Sequence, residues 1–116
     1  MERRHRLSRS RDFDAVYRQG RSVSTRLLTL HWFAREDAPE ADARLGLAIP
    51  RAVGTAVVRN RLKRQLRAVW AELEGQAPAG CDYVLVARPG LAEPAHSRDH
   101  EWLVEQVREV IGKVTT

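Results

Sequence analysis

Residues 56–73 read AVVRNRLKRQLRAVWAEL and combine regularly spaced apolar residues with basic ones. At about 100° per residue, the apolar residues of this stretch fall on one narrow stripe of a helix and the basic residues fan around the other side. The stripe consists of Val58, Leu62, Leu66, Val69 and Leu73. The pattern therefore predicts an α-helix over 56–73 that packs on a sheet through this stripe.

The other side of this predicted helix is densely positive. No acidic residue separates Arg51 from Glu72, and the stretch between them holds Arg59, Arg61, Lys63, Arg64 and Arg67. Like charges four residues apart destabilise a helix by about 0.2–0.5 kcal/mol per pair, and a solvated helix face normally mixes both signs. We therefore interpret the basic side as a surface for a polyanion, with nucleic acid as the favoured partner, rather than as a solvated face.

Composition and charge distribution support a single nucleic-acid-binding domain. The chain has 116 residues, of which 43% are hydrophobic, and this length predicts one domain over 1–116. The net charge of +5 is unevenly distributed, because residues 1–67 hold 16 Lys and Arg against 7 Asp and Glu, whereas 68–116 hold 4 against 8. We therefore expect one binding surface in the basic half.

The sequence also indicates the compartment. Cys81 is the only cysteine, which excludes an intrachain disulfide and suits a reducing environment. No apolar run approaches the roughly 20 residues of a membrane helix, and no apolar segment of a secretory signal follows the basic residues 1–9. We expect a cytoplasmic protein that does not bind membranes.

Further elements are predicted on both sides of the basic helix. A first helix over 11–19 has Ser10 as its N-cap and ends before Gly20, and a last helix covers 97–115. Strands are predicted over 27–34, 44–50 and 82–87, and a further strand before the basic helix has no assigned boundaries. The order α-β-β-β-α-β-α predicts an α/β (α+β) sandwich with a small mixed sheet.

The residues alone leave the kind of nucleic acid open. A basic helix can enter the major groove of DNA, although strands rather than a second helix flank this one. Recognition of RNA by shape and phosphate contacts suits the same helix equally well.

Three stretches of this chain resemble the bacterial ribonuclease P protein component. The basic helix carries Arg59-Asn60-Arg61-Leu62-Lys63-Arg64 after RLGLAIPRAVGTAVV (44–58), the first helix lies in RLSRSRDFDAVYRQG (6–20), and the last strand is DYVLVAR (82–88). The resemblance covers about residues 3–90. It implies a left-handed βαβ crossover in which the basic helix connects two strands.

The resemblance also implies a function. Members of this family assist a catalytic RNA that removes the 5′ leader from precursor tRNA, and the RNA holds the Mg²⁺ ions. The protein is expected to supply no catalytic residue, to bind no metal or cofactor itself, and to be inactive alone. Its expected partners are the catalytic RNA, with one protein per RNA, and the single-stranded leader, which lies in a cleft between the first helix and the sheet.

Carried over to this sequence, the resemblance assigns two groups of residues. Contacts to the catalytic RNA are expected from Arg51, Arg59, Asn60, Arg61, Lys63, Arg64 and Arg67, with additional contacts from a basic arm at 1–9. The leader cleft is expected to contain Phe13, Tyr17 and His31. Two positions depart from the family pattern: His31 stands where tyrosine is common, and Ala52 stands where a second basic residue usually follows Arg51.

Other chemistry is weakly supported. His96 and His100 have helical i, i+4 spacing, but no cysteine or carboxylate set completes a metal site with them, and no base or cation adjoins Cys81. Two alternative functions remain: a general RNA-binding or ribosomal protein on the same fold, and a transcriptional regulator, which would need a dimer interface that the sequence does not reveal.

Overall fold

The computed structural model describes residues 6–7, 9–35 and 41–114. In these ranges it contains four strands and four α-helices, together with short 3₁₀ turns at Arg51–Val53, Glu74–Gln76 and Pro89–Leu91. The elements in chain order are α1 (Ser10–Gln19), β1 (Arg21–Ser24), β2 (Leu28–Ala34), β3 (Arg44–Ala48), α2 (Ala56–Leu73), β4 (Cys81–Ala87), α3 (Ala92–Ser97) and α4 (His100–Val114). The mixed α+β class predicted from the sequence is confirmed.

The four strands form one mixed sheet in the order β1-β2-β4-β3. The β1–β2 and β2–β4 pairs are antiparallel, whereas β3 and β4 are parallel neighbours. Parallel strands need a long crossover connection, and here it is α2, the basic helix. The predicted crossover through the basic helix is therefore present. Its left-handed sense stays a prediction.

The larger core lies between one face of the sheet and helices α2 and α4. Leu28 and Leu30 of β2 and Tyr83 and Leu85 of β4 point into it and are fully buried. From α2, the core receives most of the predicted stripe, together with Trp70, whose ring centroid lies 5.3 Å from that of Tyr83. Trp70 was not part of the predicted stripe, and Val58 of that stripe is only half-buried.

The opposite face of the sheet carries α1 and a smaller core. Val16 of α1 packs there with Leu7 and Val84, all three buried. Leu7 also donates its backbone N–H to the carbonyl of Leu45 at 2.8 Å, and Arg6 forms an isolated parallel bridge with the same residue. This part of the predicted basic arm is therefore attached to the edge strand β3. Arm residues 1–5 and 8 lie outside the described residues, and Arg9 directly precedes α1.

Two predicted helix boundaries are wrong. The N-cap of α1 is Arg9, without a side-chain bond, and Ser10 is the first helical residue. The predicted helix over 97–115 is in fact two helices, because Ser97 ends α3 and Arg98 is extended. Asp99 then accepts a hydrogen bond from the backbone N–H of Trp102 at 2.9 Å, as an N-cap does. Thr115, the last residue of the predicted helix, lies outside the described residues.

Gly20 is required where α1 ends against β2. Its backbone N–H donates to the carbonyl of Val16 at 3.0 Å and closes the helix, and its φ of −87° is open to any residue. Space is the constraint instead, since an added Cβ would lie under 3.0 Å from the carbonyl oxygens of both Trp32 and Val16. Backbone atoms cannot move aside as a flexible side chain can.

We therefore expect Gly20→Ala to lower the free energy of unfolding by roughly 1–3 kcal/mol, measured by denaturant titration, because α1 must shift from the sheet. Gly112→Ala is the matched control: Gly112 lies within α4 and a Cβ there meets nothing within 4 Å. This control should raise stability by about 0.5–1 kcal/mol through helix propensity. Equal stabilities for wild type and Gly20→Ala would contradict the packing described here.

Candidate nucleic-acid interface

The basic side chains of α2 form no ion pair within the described part of the chain. Five ion pairs occur there, and none of them includes Arg59, Arg61, Lys63, Arg64 or Arg67. The Nε of Arg59 is buried and has no hydrogen-bond partner among the described residues. Burial of the apolar stripe fixes the helix, so these charges stay close together despite their mutual repulsion.

The predicted RNA-contacting residues lie along α2 and just before it. Asn60 and Arg64 are exposed, and Arg59, Arg61, Lys63 and Arg67 are half-buried. Arg51 is exposed in the 3₁₀ turn that precedes α2, and Thr55 caps the helix by accepting from the N–H of Val58 at 3.3 Å. The turn and the cap bring Arg51 to the N-terminal end of the basic helix.

The cations of α2 line two different grooves. Lys63 and Arg67 line a groove of about 230 Å³ at the β3 edge, together with Phe13, Leu47 and Arg6. Arg61 lines a different groove, of about 350 Å³, whose other walls come from the turn before α2 and from α3. The basic helix therefore borders the α1 side of the sheet through Lys63 and Arg67, and not through all of its cations.

The sheet registers show how α1 crosses its face. Ser22, His31, Val84 and Gly46 are successive partners across the four strands, and we call them the second row. The ring of Phe13 lies on Gly46, where an added Cβ would come within 2.7 Å of its Cε1 atom. Tyr17 meets His31 edge-on, with ring centroids 4.9 Å apart and planes at 81°. Helix α1 thus lies over the second row.

The first row lies beside α1 on the same face. It consists of Ser24, Thr29, Val86 and Ala48, which are also successive cross-strand partners. Ser24 is exposed and the other three are half-buried. We call the surface bounded by Phe13, Tyr17 and the first row the α1 cleft.

The three residues predicted for the cleft have different surroundings. Tyr17 is 44% exposed, which is high for a large aromatic residue, and it shares the cleft with half-buried His31. Phe13 is half-buried in the small core, so its ring also holds α1 on the sheet. Tyr17 and His31 are therefore the accessible ring pair, and Phe13 is in part a packing residue.

Partial burial affects both titratable rings of this pair. It raises the pKa of Tyr17 above 10.0 and lowers the pKa of His31 below 6.5, because desolvation disfavours the charged form of each group. Partial burial therefore favours the neutral form of both rings, which suits stacking with a nucleobase.

An ion-pair network lies next to the second row, two residues along β3 and β4, and it was not predicted from the sequence. Asp82 of β4 is buried and accepts two hydrogen bonds from Arg44 of β3, at 2.8 and 2.6 Å. Arg35 lies 3.3 Å from the same carboxylate, and Asp12 of α1 lies 3.8 Å from Arg44. Donating hydrogen bonds to the Asp82 carboxylate raises the pKa of Arg44. This network joins β3, β4 and α1, and only the strand pairing brings its residues together.

The carboxylates of α4 lie in a separate stripe. Glu101, Glu105 and Glu109 are exposed at four-residue spacing, and Arg108 pairs with Glu105. His100 pairs with Glu72 of α2, whereas His96 lines the groove beside Arg61. Within the described ranges, no three His, Cys, Asp or Glu side chains converge on a possible metal position. The same ranges contain no helix with the length and hydropathy of a membrane span.

Comparison with known proteins identifies the relatives of this chain. Residues 1–115 match the family model described as Ribonuclease P. The ribonuclease P protein component of Shouchella clausii is 42% identical over 88 residues, which cover 76% of this chain and 70% of that protein. The corresponding protein of Bacillus cereus strain B4264 is 33% identical over 104 residues, covering 90% and 89%.

Solved structures agree with this result. The RNase P protein from Thermotoga maritima superimposes with a TM-score of 0.82 at 27% identity, and the match covers 93% of this chain and 96% of that one.

The protonation of His31 can be tested through folding stability. As pH falls through 6.5, the unfolded chain takes up a proton at His31 before the folded chain does, so the free energy of unfolding decreases. We define the gap as the melting temperature of the wild type minus that of a variant. The gap for His31→Gln should be largest at pH 8 and should shrink by pH 5. The change should be small because His31 is only partly buried. Ser22→Ala, across the sheet from His31, removes no titrating group and should keep a constant gap. A constant gap for His31→Gln as well would contradict the prediction.

Proposed function

The chain belongs to the ribonuclease P protein family, and on this basis we propose that it is the protein subunit of a ribonucleoprotein that removes the 5′ leader from precursor tRNA. The observation that carries the proposal is the groove in which Lys63 and Arg67 of the basic helix adjoin Phe13 of α1. A surface for RNA phosphates is thereby continuous with a cleft that can hold unpaired bases. Family membership also favours RNA over DNA as the polyanion.

In this proposal, α2 binds the catalytic RNA. Its side chains, with Arg51, provide six positive charges at a surface where the described residues supply no carboxylate partner. Phosphates take the place of the missing counter-charges and relieve the repulsion along the helix. Release of counterions from the RNA makes such binding steeply dependent on salt. We expect one protein per RNA.

The leader of the precursor tRNA lies in the α1 cleft. The rings of Tyr17 and His31 provide faces and edges on which an unpaired base can stack whatever its identity. Histidine has a smaller ring than the tyrosine that is common in the family at position 31, so Tyr17 carries most of the stacking surface here.

The protein contributes affinity and orientation, and the RNA carries out the cleavage. Hydrolysis would use Mg²⁺ ions held by the RNA, and the protein side chains act by binding two RNA segments and by reducing the repulsion between their phosphates. We therefore expect no cleavage by the protein alone.

Removing one exposed cation of α2 tests the contact with the catalytic RNA. Arg64→Gln should weaken assembly and reduce the slope of log K against log salt by about 1, because one phosphate contact is lost. Arg108→Gln, which removes the same charge from α4, is the control and should assemble like the wild type. Equal salt slopes for Arg64→Gln and wild type would contradict the assignment of α2 to the RNA interface.

Removing the accessible ring of the α1 cleft tests the contact with the leader. Tyr17→Ala in the assembled holoenzyme should weaken binding of precursor tRNA by about 5- to 150-fold, the range for one stacked base, and leave binding of mature tRNA unchanged. Tyr17→Phe keeps the ring and should bind like the wild type. If Tyr17→Ala weakened both RNAs equally, Tyr17 would have no leader-specific role. Tyr17 suits this test better than Phe13, whose removal would also loosen the packing of α1.

A further inference from the structure

Ser24 and Thr29 place a pair of hydroxyl groups at the β1 end of the first row. They are direct cross-strand partners, so their side chains share one face of the sheet. Thr29 lies two residues before His31 on β2 and therefore points to the same face, about 7 Å along the strand. The hydroxyl pair thus belongs to the same surface as the ring pair of the α1 cleft.

The hydrogen bonds of this pair leave it with unused capacity. Ser24 Oγ and Thr29 Oγ1 are 3.0 Å apart and bond to each other and to no other described residue. Thr25, the next residue along the chain, behaves differently, because its Oγ1 accepts from the backbone N–H of Leu28 at 3.2 Å and serves the turn. Ser24 is exposed and Thr29 half-buried, so a ligand can reach the pair.

Proton counting indicates which group fits. Two hydroxyls carry two protons, and the bond between them uses one, which leaves one donor and several acceptor positions. A phosphate accepts only and would use the single donor. A ribose 2′-hydroxyl both donates and accepts and can use both functions of the pair. Arg88, whose guanidinium donates to the carbonyl of Thr25 at 3.1 Å, adds a positive charge beside the pair that suits the flanking phosphates of an RNA strand.

We propose that Ser24 and Thr29 bind the ribose 2′-hydroxyl of a leader nucleotide that neighbours the nucleotide stacked at Tyr17 and His31. The inference rests on the proposed function of the α1 cleft and adds a second contact point to it. It makes the cleft selective for RNA over DNA at one leader position. A bare stacking surface would not discriminate between the two sugars.

The test uses precursor tRNAs with single 2′-deoxy substitutions scanned through the leader, bound to the holoenzyme reconstituted with a bacterial ribonuclease P RNA. With wild-type protein, one position should show an affinity loss of about 2- to 10-fold, the effect of one hydrogen bond. The loss should be absent when the RNA binds the same substrates without protein. Thr29→Val and Ser24→Ala should weaken the all-ribose substrate by a similar factor and abolish the deoxy effect at that position.

Ser97→Ala, which removes an exposed hydroxyl at the end of α3, is the control and should retain the full deoxy effect. Thermal unfolding of each variant establishes that it is folded; Thr29→Val retains the β-branched shape that suits a strand. No sensitive leader position, or an undiminished deoxy effect in both hydroxyl variants, would overturn the proposal. The proposed leader cleft would survive that outcome if Tyr17→Ala still lost leader-dependent binding, and it would fail as well if that variant bound normally.

Discussion

The burial of one side of α2 is the constraint from which the rest of the surface follows. This helix connects two adjacent parallel strands, so it must lie on the sheet, and Leu62, Leu66 and Val69 anchor it there with almost no exposure. Every charge of the helix is then forced to the outside or to its edges. Five cations that repel one another are held together by apolar packing on their opposite side, and in the proposed function RNA phosphates offset that repulsion.

The same sheet explains why the basic residues of α2 and the α1 cleft lie side by side. Its strands alternate, so Leu28 and Leu30 face α2 and α4 while Thr29 and His31 face α1. Helix α1 covers the second row, and the first row beside it stays partly open. Because β3 is the edge strand nearest to Phe13, Lys63 and Arg67 of α2 come next to the cleft around that edge. The basic surface and the aromatic cleft are thus consequences of one strand order.

Sequence reasoning succeeded where a signal is local and periodic. The bounds of α2 were predicted to the residue, since the stripe of Val58 to Leu73 repeats at helical spacing. Strand β1 has no comparable signal, because RSVS is short and polar on one side. It forms a strand only through its pairing with β2. The Asp99 cap inside the predicted last helix could have been recognised, as an aspartate three residues before Trp102 is a common N-cap pattern.

The residues of the candidate site likewise include some that were predictable from local sequence and others that were not. The basic residues of α2 could be identified from one stretch, and the resemblance supplied Phe13, Tyr17 and His31. What the sequence could not give is the difference among these three rings, since the packing of Phe13 on Gly46 depends on a strand 33 residues away. The Ser24–Thr29 pair and the Arg44–Asp82 pair are likewise products of register, and register is set by long-range pairing and not by spacing along the chain.

The most direct test of the proposed function is cleavage of a precursor tRNA by a bacterial ribonuclease P RNA at low Mg²⁺ concentration, with and without this protein. The RNA alone should be nearly inactive there, because little Mg²⁺ is present to screen its phosphates. We expect that adding the protein restores cleavage at the mature 5′ end and that the protein alone cleaves nothing. Tight binding of the protein to the RNA without restored cleavage would contradict it.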